Sequence, residues 1–420
     1  MRKVFNLTIF LILLRLYSFG DYLLIPMDLQ QTNHLKSYGI MFNALNNGIK
    51  GEWLLNYRGG SFLLPYHQIL KEQCLARGVY SQQITNDEAN AIFQLIEEEN
   101  MERIILEKAP KIAVYAPDYY QPWDDAVLLA MEYAEIPYTR IYDKEVILED
   151  LSAYDWLHLH HEDFTGQFGK FYGNYRNASW YREQVSYNMS IAAELGFPDV
   201  PALKKQVALK IREYVNNGGF LFAMCSATDA LDIALAAHQT DIVETPFDGD
   251  PPAPDYQSKL DFNITLAFKN FTLYPNPNLY EYSDIDTPPS YAPRVRDAET
   301  DFFTLFDFSA KYDPVPSMLV QNHVNSVKGF MGQTTMFKRD KIKEHVVILG
   351  EIEETDQIKY IHGYYGKGTF TFLGGHDPED YTHAVSDPPT NLALHVNSPG
   401  YRLILNNILF PAARKKKLKT

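Results

Sequence analysis

Cys225 stands at the end of the apolar run Phe220-Leu221-Phe222-Ala223-Met224, with Ser226 and Ala227 behind it. The run reads as a buried strand, and the residues after Ala227 return to a helical pattern as far as Ala237. A cysteine on such a strand-to-helix turn is held out of the sheet and faces a helix N-terminus. Backbone N–H groups there stabilise a thiolate and can hold an oxyanion. Ala223 and Ala227 are small, as a tight turn around a nucleophile requires. A buried cysteine also serves as an inert small hydrophobe, so the chemistry depends on what else reaches this point.

A second segment of the same form lies far downstream, Gly368-Thr369-Phe370-Thr371-Phe372-Leu373-Gly374-Gly375-His376-Asp377-Pro378-Glu379. Again a short apolar strand ends in a polar turn, and the turn carries a histidine and carboxylates. Cys225 would be the nucleophile, His376 the general base and Glu379 the carboxylate that orients the base. Asp377, between His376 and Pro378, is the other acid in position for that last role. The N–H of Ser226 and a group from the loop around Gly166 would hold the oxyanion.

That loop is the third chemically dense stretch, His158-Leu159-His160-His161-Glu162-Asp163-Phe164-Thr165-Gly166-Gln167. It follows an apolar run, Tyr154 to His158, and reads as a substrate or oxyanion loop built on His160, His161, Glu162 and Gly166. His158 and His160 fall on one side of a strand, and imidazoles with a carboxylate are zinc-type ligands. Neighbouring His-His-Glu-Asp side chains do not all converge on one ion, however, and the only distant histidine in view is His376. The expectation is therefore no metal and no cofactor. Calcium at Asp248, Asp250, Asp284 and Asp286 is a weaker reading, because their spacing is not that of an EF-hand.

The elements that must position these residues alternate. Lys111–Tyr115 is a strand, Asp124-Asp125 lead a helix through Val127, Leu128, Met131 and Ala134, and Tyr138–Tyr142 is strand-like. Asp199-Val200-Pro201 starts a helix whose stripe is Leu203, Val207, Ile211 and Val215, and Gly218-Gly219 stops it. His345–Leu349 and Thr369–Leu373 are strands, and Pro399–Leu409 is a closing helix. Such alternation implies an α/β fold with a mainly parallel sheet between helices and ligands at the carboxyl ends of the strands. Residues 21–110 form a small N-terminal α/β region, with a hairpin around Arg58-Gly59-Gly60 and a capping box of Thr85 with Glu88. Residues 241–344 lack the α/β rhythm. They read as an irregular insertion over the active end of the sheet, with strand-like runs at Ile264–Phe268 and Phe271–Tyr274.

Together the cysteine elbow and the later strand with Gly-Gly-His-x-Pro-Glu resemble class I glutamine amidotransferase-like domains, over residues 111–240 and 345–420. Those domains carry Gly-x-Cys-x-Gly and His-Pro-Glu. Here Ala223 and Ala227 replace the glycines, and Asp377 is inserted after the histidine. The resemblance implies a three-layer, flavodoxin-like sandwich and a cysteine-dependent amide or acyl hydrolase or transferase, with Cys225, His376 and Glu379 as its triad. Some members of the wider fold lack glutaminase activity, so a catalytically inactive glycan- or peptide-binding envelope protein is the alternative. The whole chain is also similar to exported proteins labelled asparagine synthetase B. The residues do not carry that chemistry: Arg2, not a cysteine, follows Met1, and no Ser-Gly-Gly-x-Asp-Ser loop occurs.

The 420 residues are 46% hydrophobic and 14% aromatic, enough for a large core. Arg2-Lys3 precede an apolar run from Val4 to Leu14, and Ser18-Phe19-Gly20 offer small residues for cleavage. Residues 1–20 therefore read as a signal peptide for export to the periplasm or beyond, and membrane attachment is expected only if that segment stays uncleaved as an anchor. Removing it takes away Arg2, Lys3 and Arg15 and no acid, so the net charge moves from −15 to −18. That balance excludes nucleic acid as a partner and leaves a small molecule, peptide or glycan as the expected substrate. With two cysteines, Cys74 and Cys225, the chain builds neither a disulfide framework nor a cysteine zinc site.

Overall fold

The computed structural model describes residues 21–288, 301–381 and 384–414. The signal-peptide reading of residues 1–20 and the basic tail after Arg414 fall outside the described residues. Five strands, Tyr22–Ile25 (β1), Gly51–Leu55 (β2), Ser61–Pro65 (β3), Gln82–Ile84 (β4) and Glu102–Leu106 (β5), form an antiparallel sheet in the order β4-β1-β3-β2-β5. Thr85 caps the helix Asn86–Glu98 in the expected capping box with Glu88.

The second sheet is mixed. Ile112–Tyr115 (β6), Thr139–Ile141 (β7), Trp156–Leu159 (β8), Phe220–Met224 (β9) and Gly368–Leu373 (β15) run parallel in the order β7-β6-β8-β9-β15. Beyond β15 the sheet turns antiparallel through Gln357–Tyr365 (β14), Val347–Glu351 (β13), Phe302–Leu305 (β10) and Ser326–Lys328 (β11), and Phe337–Lys338 (β12) also pairs with β14. The sheet is thus not mainly parallel. Residues 241–344 are not wholly an insertion either, because they supply β10, β11 and β12. Ile264–Phe268 and Phe271–Tyr274 form single bridges, Phe268 to Ile342 and Leu273 to Ser283, and no strands. The physical reason is local: Leu266, Ala267 and Phe268 donate their N–H groups to the buried Asp232 carboxylate.

Alternation along the parallel strands sends side chains into two apolar clusters. Trp156, Phe222 and Met224 pack with the helices Ala126–Ala134 and Pro399–Leu409. Leu157, Leu159, Leu221 and Ala223 pack with the helices Val200–Asn217 and Ala227–Ala236. The helix Val200–Asn217 begins as the sequence predicts: Asp199 accepts from Ala202 N at 2.7 Å, and Pro201 lies in the first turn, where no N–H is missed. Gly218 ends it with φ +123°, a conformation L side chains rarely adopt. The N-terminal sheet shares the first cluster through Trp53, Phe62 and Leu64.

One buried base makes the fold acid-sensitive. His362 on β14 bonds Thr371 through Nδ1 at 2.9 Å, and burial pushes the imidazole down to about 3. Its folded value lies below the unfolded 6.5, so its share of stability is complete above pH 6.5 and is lost as pH falls toward 3. Between pH 6.5 and 5 the loss is about 1.5 kcal/mol. Urea midpoints across that range should show a smaller fall for His362→Leu than for the unsubstituted protein; equal slopes would refute the assignment.

Candidate functional site

Register builds the site. Leu373 pairs with Met224 and Leu159 with Ala223, so the carboxyl ends of β8, β9 and β15 lie side by side. The residues that leave these ends are His160-His161, Cys225 and His376. Cys225 N donates to Gly375 O at 3.1 Å, and Ala227 N to His160 O at 3.1 Å, which ties the three exits together. All three sequence-derived stretches therefore meet.

Cys225 adopts φ +48°, left-handed backbone in a residue with a Cβ. Such strain costs on the order of 1–3 kcal/mol and persists only where the surroundings over-determine it. The thiol is buried, and Gln333 N donates to Sγ at 3.3 Å. Burial pushes the thiol up to about 11, while the N–H groups of Gln333, Ser226 and Thr334 pull the other way. Cys225 and Cys74 are both free thiols.

Residues 330–335 lie across the exits of β9 and β15. His376 N donates to Met331 O at 2.6 Å and Gly375 N to Thr334 O at 2.8 Å. A Cβ on Gly332 would stand 2.9 Å from Gly375, so this approach requires glycine. The His376 ring is buried and packs on His160 at 4.4 Å and His161 at 5.7 Å between centroids.

The carboxylates are distributed differently from the expected triad. Glu379 Oε2 sits 3.1 Å from His395 Nδ1. Asp377 is buried, accepts from Glu379 N and Asp380 N to close its own turn, and takes the Tyr401 hydroxyl at 2.7 Å. Asp124 Oδ1 lies 4.0 Å from His376 Nδ1. Burial and the neighbouring Asp377 push Asp124 up to about 6.

Asp125 is the second acid the sequence did not single out for this role. It caps the helix Ala126–Ala134 through Val127 N and Leu128 N, as an N-cap should. The same Oδ1 receives His160 Nδ1 at 3.1 Å. His158 Nδ1 donates to Phe222 O at 3.1 Å, and its Nε2 lies 3.3 Å from His160 Nδ1 and 3.5 Å from Asp125 Oδ1. Burial opposes the Asp125 charge, yet His160 and His158 hold its carboxyl well below the ordinary range. Glu162 accepts from His160 N at 3.2 Å and is pushed up to about 7 by burial and by Asp125. His161 Nε2 donates to Gln121 Oε1 at 3.1 Å.

Convergence on one ion was not expected of this loop. Glu162 and Asp163 do stay out of the histidine group, but β8 ends at Leu159, so strand alternation no longer separates His160 from His161. One ligand nitrogen from each of His160, His161 and His376 lies within 4.8 Å of the others. Gly166 turns with φ +83° against Pro201, where a Cβ would come within 2.7 Å, so its glycine is explained by helix packing. Of the four acids weighed for calcium, Asp248 and Asp250 join Asp241 near the surface, whereas Asp284 pairs with Lys341 at 2.8 Å.

An aromatic wall adjoins His161. Trp123 lies 5.4 Å from it, stacks on Phe171 at 4.9 Å and meets Trp180 at 5.3 Å, and Tyr280 stands 5.8 Å from Phe171. A larger cavity, about 540 Å³, opens at the amino ends of β8 and β9, the face of such sheets opposite to the one that binds ligands.

No family model matches the chain, and no curated protein does. Among solved structures, a cytoplasmic protein from Salmonella typhimurium aligns over 73% of this chain and 100% of its own at 11% identity, with a TM-score of 0.35. A second cytoplasmic protein, from Salmonella typhimurium LT2, aligns over 72% and 100% at 12% identity, with a TM-score of 0.36. A catalytic mutant of a GH42 β-galactosidase from G. stearothermophilus aligns over 64% of this chain and 28% of its own at 11% identity, with a TM-score of 0.26. Likenesses this weak carry nothing about fold family or activity.

Proposed function

We propose that this protein is an exported thiol hydrolase of the class I glutamine amidotransferase-like fold, acting on an amide or acyl bond of a peptide or glycan. The observation that carries the reading is the left-handed backbone of Cys225 at the end of β9, with the Gln333 N–H donating to its thiol. The parallel order β7-β6-β8-β9-β15 supports the fold assignment, being the 2-1-3-4-5 order of flavodoxin-like sheets. Residues 1–20 supply the export signal, and the aromatic wall beside His161 supplies a stacking face for a sugar or a peptide side chain.

In the reaction the Cys225 proton passes to His376 as sulfur attacks the carbonyl carbon. His376 returns that proton to the leaving amine or alcohol, and water then cleaves the thioester. Asp124 orients the imidazole in place of Glu379, and the N–H groups of Ser226 and Gln333 face the oxyanion. A second reading, a binding protein of the same fold, draws on the burial that keeps the thiol protonated.

The test is the pH profile of Cys225 alkylation by iodoacetamide in chelator-treated protein, beside His376→Asn. A thiol activated by the base reacts along an imidazole titration near about 6.5, and His376→Asn slows it roughly 100-fold. A rate that rises only toward pH 11 and ignores His376 would sink the hydrolase and leave the binding protein.

A further inference from the structure

The imidazoles that meet at the strand ends have more order than a proton relay needs. His160 is fully buried, its Nδ1 is held by Asp125, and its Nε2 has no hydrogen-bond partner among the described residues. As a lone pair that atom lacks a donor; as an N–H it lacks an acceptor. Either way a buried polar atom is left orphaned, which native folds avoid. His161 donates through Nε2 to Gln121, which leaves its lone pair on Nδ1. His376 brings the third imidazole, with Asp124 behind it at 4.0 Å.

We propose that His160, His161 and His376 bind one divalent transition-metal ion of the zinc class. Three imidazole nitrogens with an open fourth position are the ligand set of catalytic zinc. An ion at about 2.0–2.1 Å from each nitrogen would set them about 3.3 Å apart, and here they lie within 4.8 Å of one another. Two outer-shell contacts are in place: Asp125 holds His160 Nδ1 and Gln121 holds His161 Nε2, which is how carboxylates and amides orient metal-bound histidines, while Asp124 lies 4.0 Å from His376 Nδ1, beyond hydrogen-bond distance. Among the described residues Asp124, Asp125 and Glu162 find histidine partners and no lysine or arginine, so a divalent cation would balance buried negative charge. The alternative set of Asp125, His158 and His160 is satisfied within itself and serves as the support.

The inference stands apart from the thiol hydrolase. In the loaded protein His376 gives its lone pair to the ion and is withdrawn as a base, so zinc should slow Cys225 alkylation. The experiment is zinc titration of the chelator-treated mature chain against a competing chelator, with the visible spectrum of the Co2+ form. The expected result is one ion per chain, bound about 10–100-fold more weakly by Asp125→Asn, lost in His160→Gln and unchanged in Cys225→Ser. Co2+ should give four-coordinate d–d bands without thiolate charge transfer. Substoichiometric zinc, or equal affinity in His160→Gln and the parent, overturns the site, as does a thiolate band. Should His160→Gln fail to fold, Asp125→Asn, which keeps the helix cap, and the parent Co2+ spectrum decide the matter alone. Failure of the thiol chemistry with zinc still bound would leave this site standing.

Discussion

Asp232→Ala lowers the stability of the fold by about 3–5 kcal/mol. Asp232 is fully buried, and its two oxygens take the N–H groups of Leu266, Ala267 and Phe268 at 2.6, 2.7 and 2.8 Å. Removing the carboxylate orphans three buried donors at once. Each carries a desolvation cost of roughly 1–3 kcal/mol, reduced where the segment shifts to admit water. The loss has a direction in space. Residues 266–268 anchor the segment that leads to Tyr280 and, further along the chain, to Gln333, whose N–H meets the Cys225 thiol. Thermal melts should show the drop, and amide exchange should show it first in residues 260–288. An unchanged melting temperature would mean that these amides find other partners.

Lys204→Met costs about 3–5 kcal/mol, by a different mechanism. Lys204 Nζ is buried among Asp143 Oδ1 and Oδ2 at 3.0 and 2.8 Å, the Tyr115 hydroxyl at 3.0 Å and the Tyr142 hydroxyl at 3.1 Å. The pair joins the helix Val200–Asn217 to the helix Asp143–Leu148 beneath the cleft that His161 and Glu162 line. Methionine fills the lysine volume but abandons a carboxylate with no exposure. The double variant Lys204→Met/Asp143→Leu should recover most of the loss, because replacing both ions by apolar groups is often neutral. Urea unfolding of the single and double variants decides it. A double variant as unstable as Lys204→Met alone would show that the tyrosine hydroxyls, and not the stranded charge, set the cost.

Much of the scaffold was legible in the sequence because it is written in local chemistry. Leu203, Val207, Ile211 and Val215 mark one helical stripe, and all four are buried. Thr85 with Glu88, and Pro399 with the apolar run behind it, mark helix starts that the structure reproduces. The strand-like runs at 264–268 and 271–274 misled because side chains distant in sequence take amides a ladder would use: Asp232 takes those of 266–268, and Asp284 and Gln257 take those of Thr272 and Leu273. β14 went unassigned: Lys359, His362 and Gly363 interrupt its alternation, yet every residue from Gln357 to Gly363 is buried. In the site, Cys225, His376 and the 158–167 loop were visible by residue type. Asp124 and Asp125 were visible only as a helix start. Their second task depends on β6 lying beside β8, which no local pattern encodes.

The pairing of β15 with β9 fixes when the site can exist. During synthesis β9 emerges early, with β8 already beside it, but its other edge waits until Gly368–Leu373 has been made. Until then the chain presents an unpaired apolar edge ending at Cys225, the kind of edge that recruits other chains. Closing so long a loop is slow. The imidazole of His376 thus arrives last, and a chain interrupted before residue 368 carries the thiol without its neighbour and with that apolar edge uncovered.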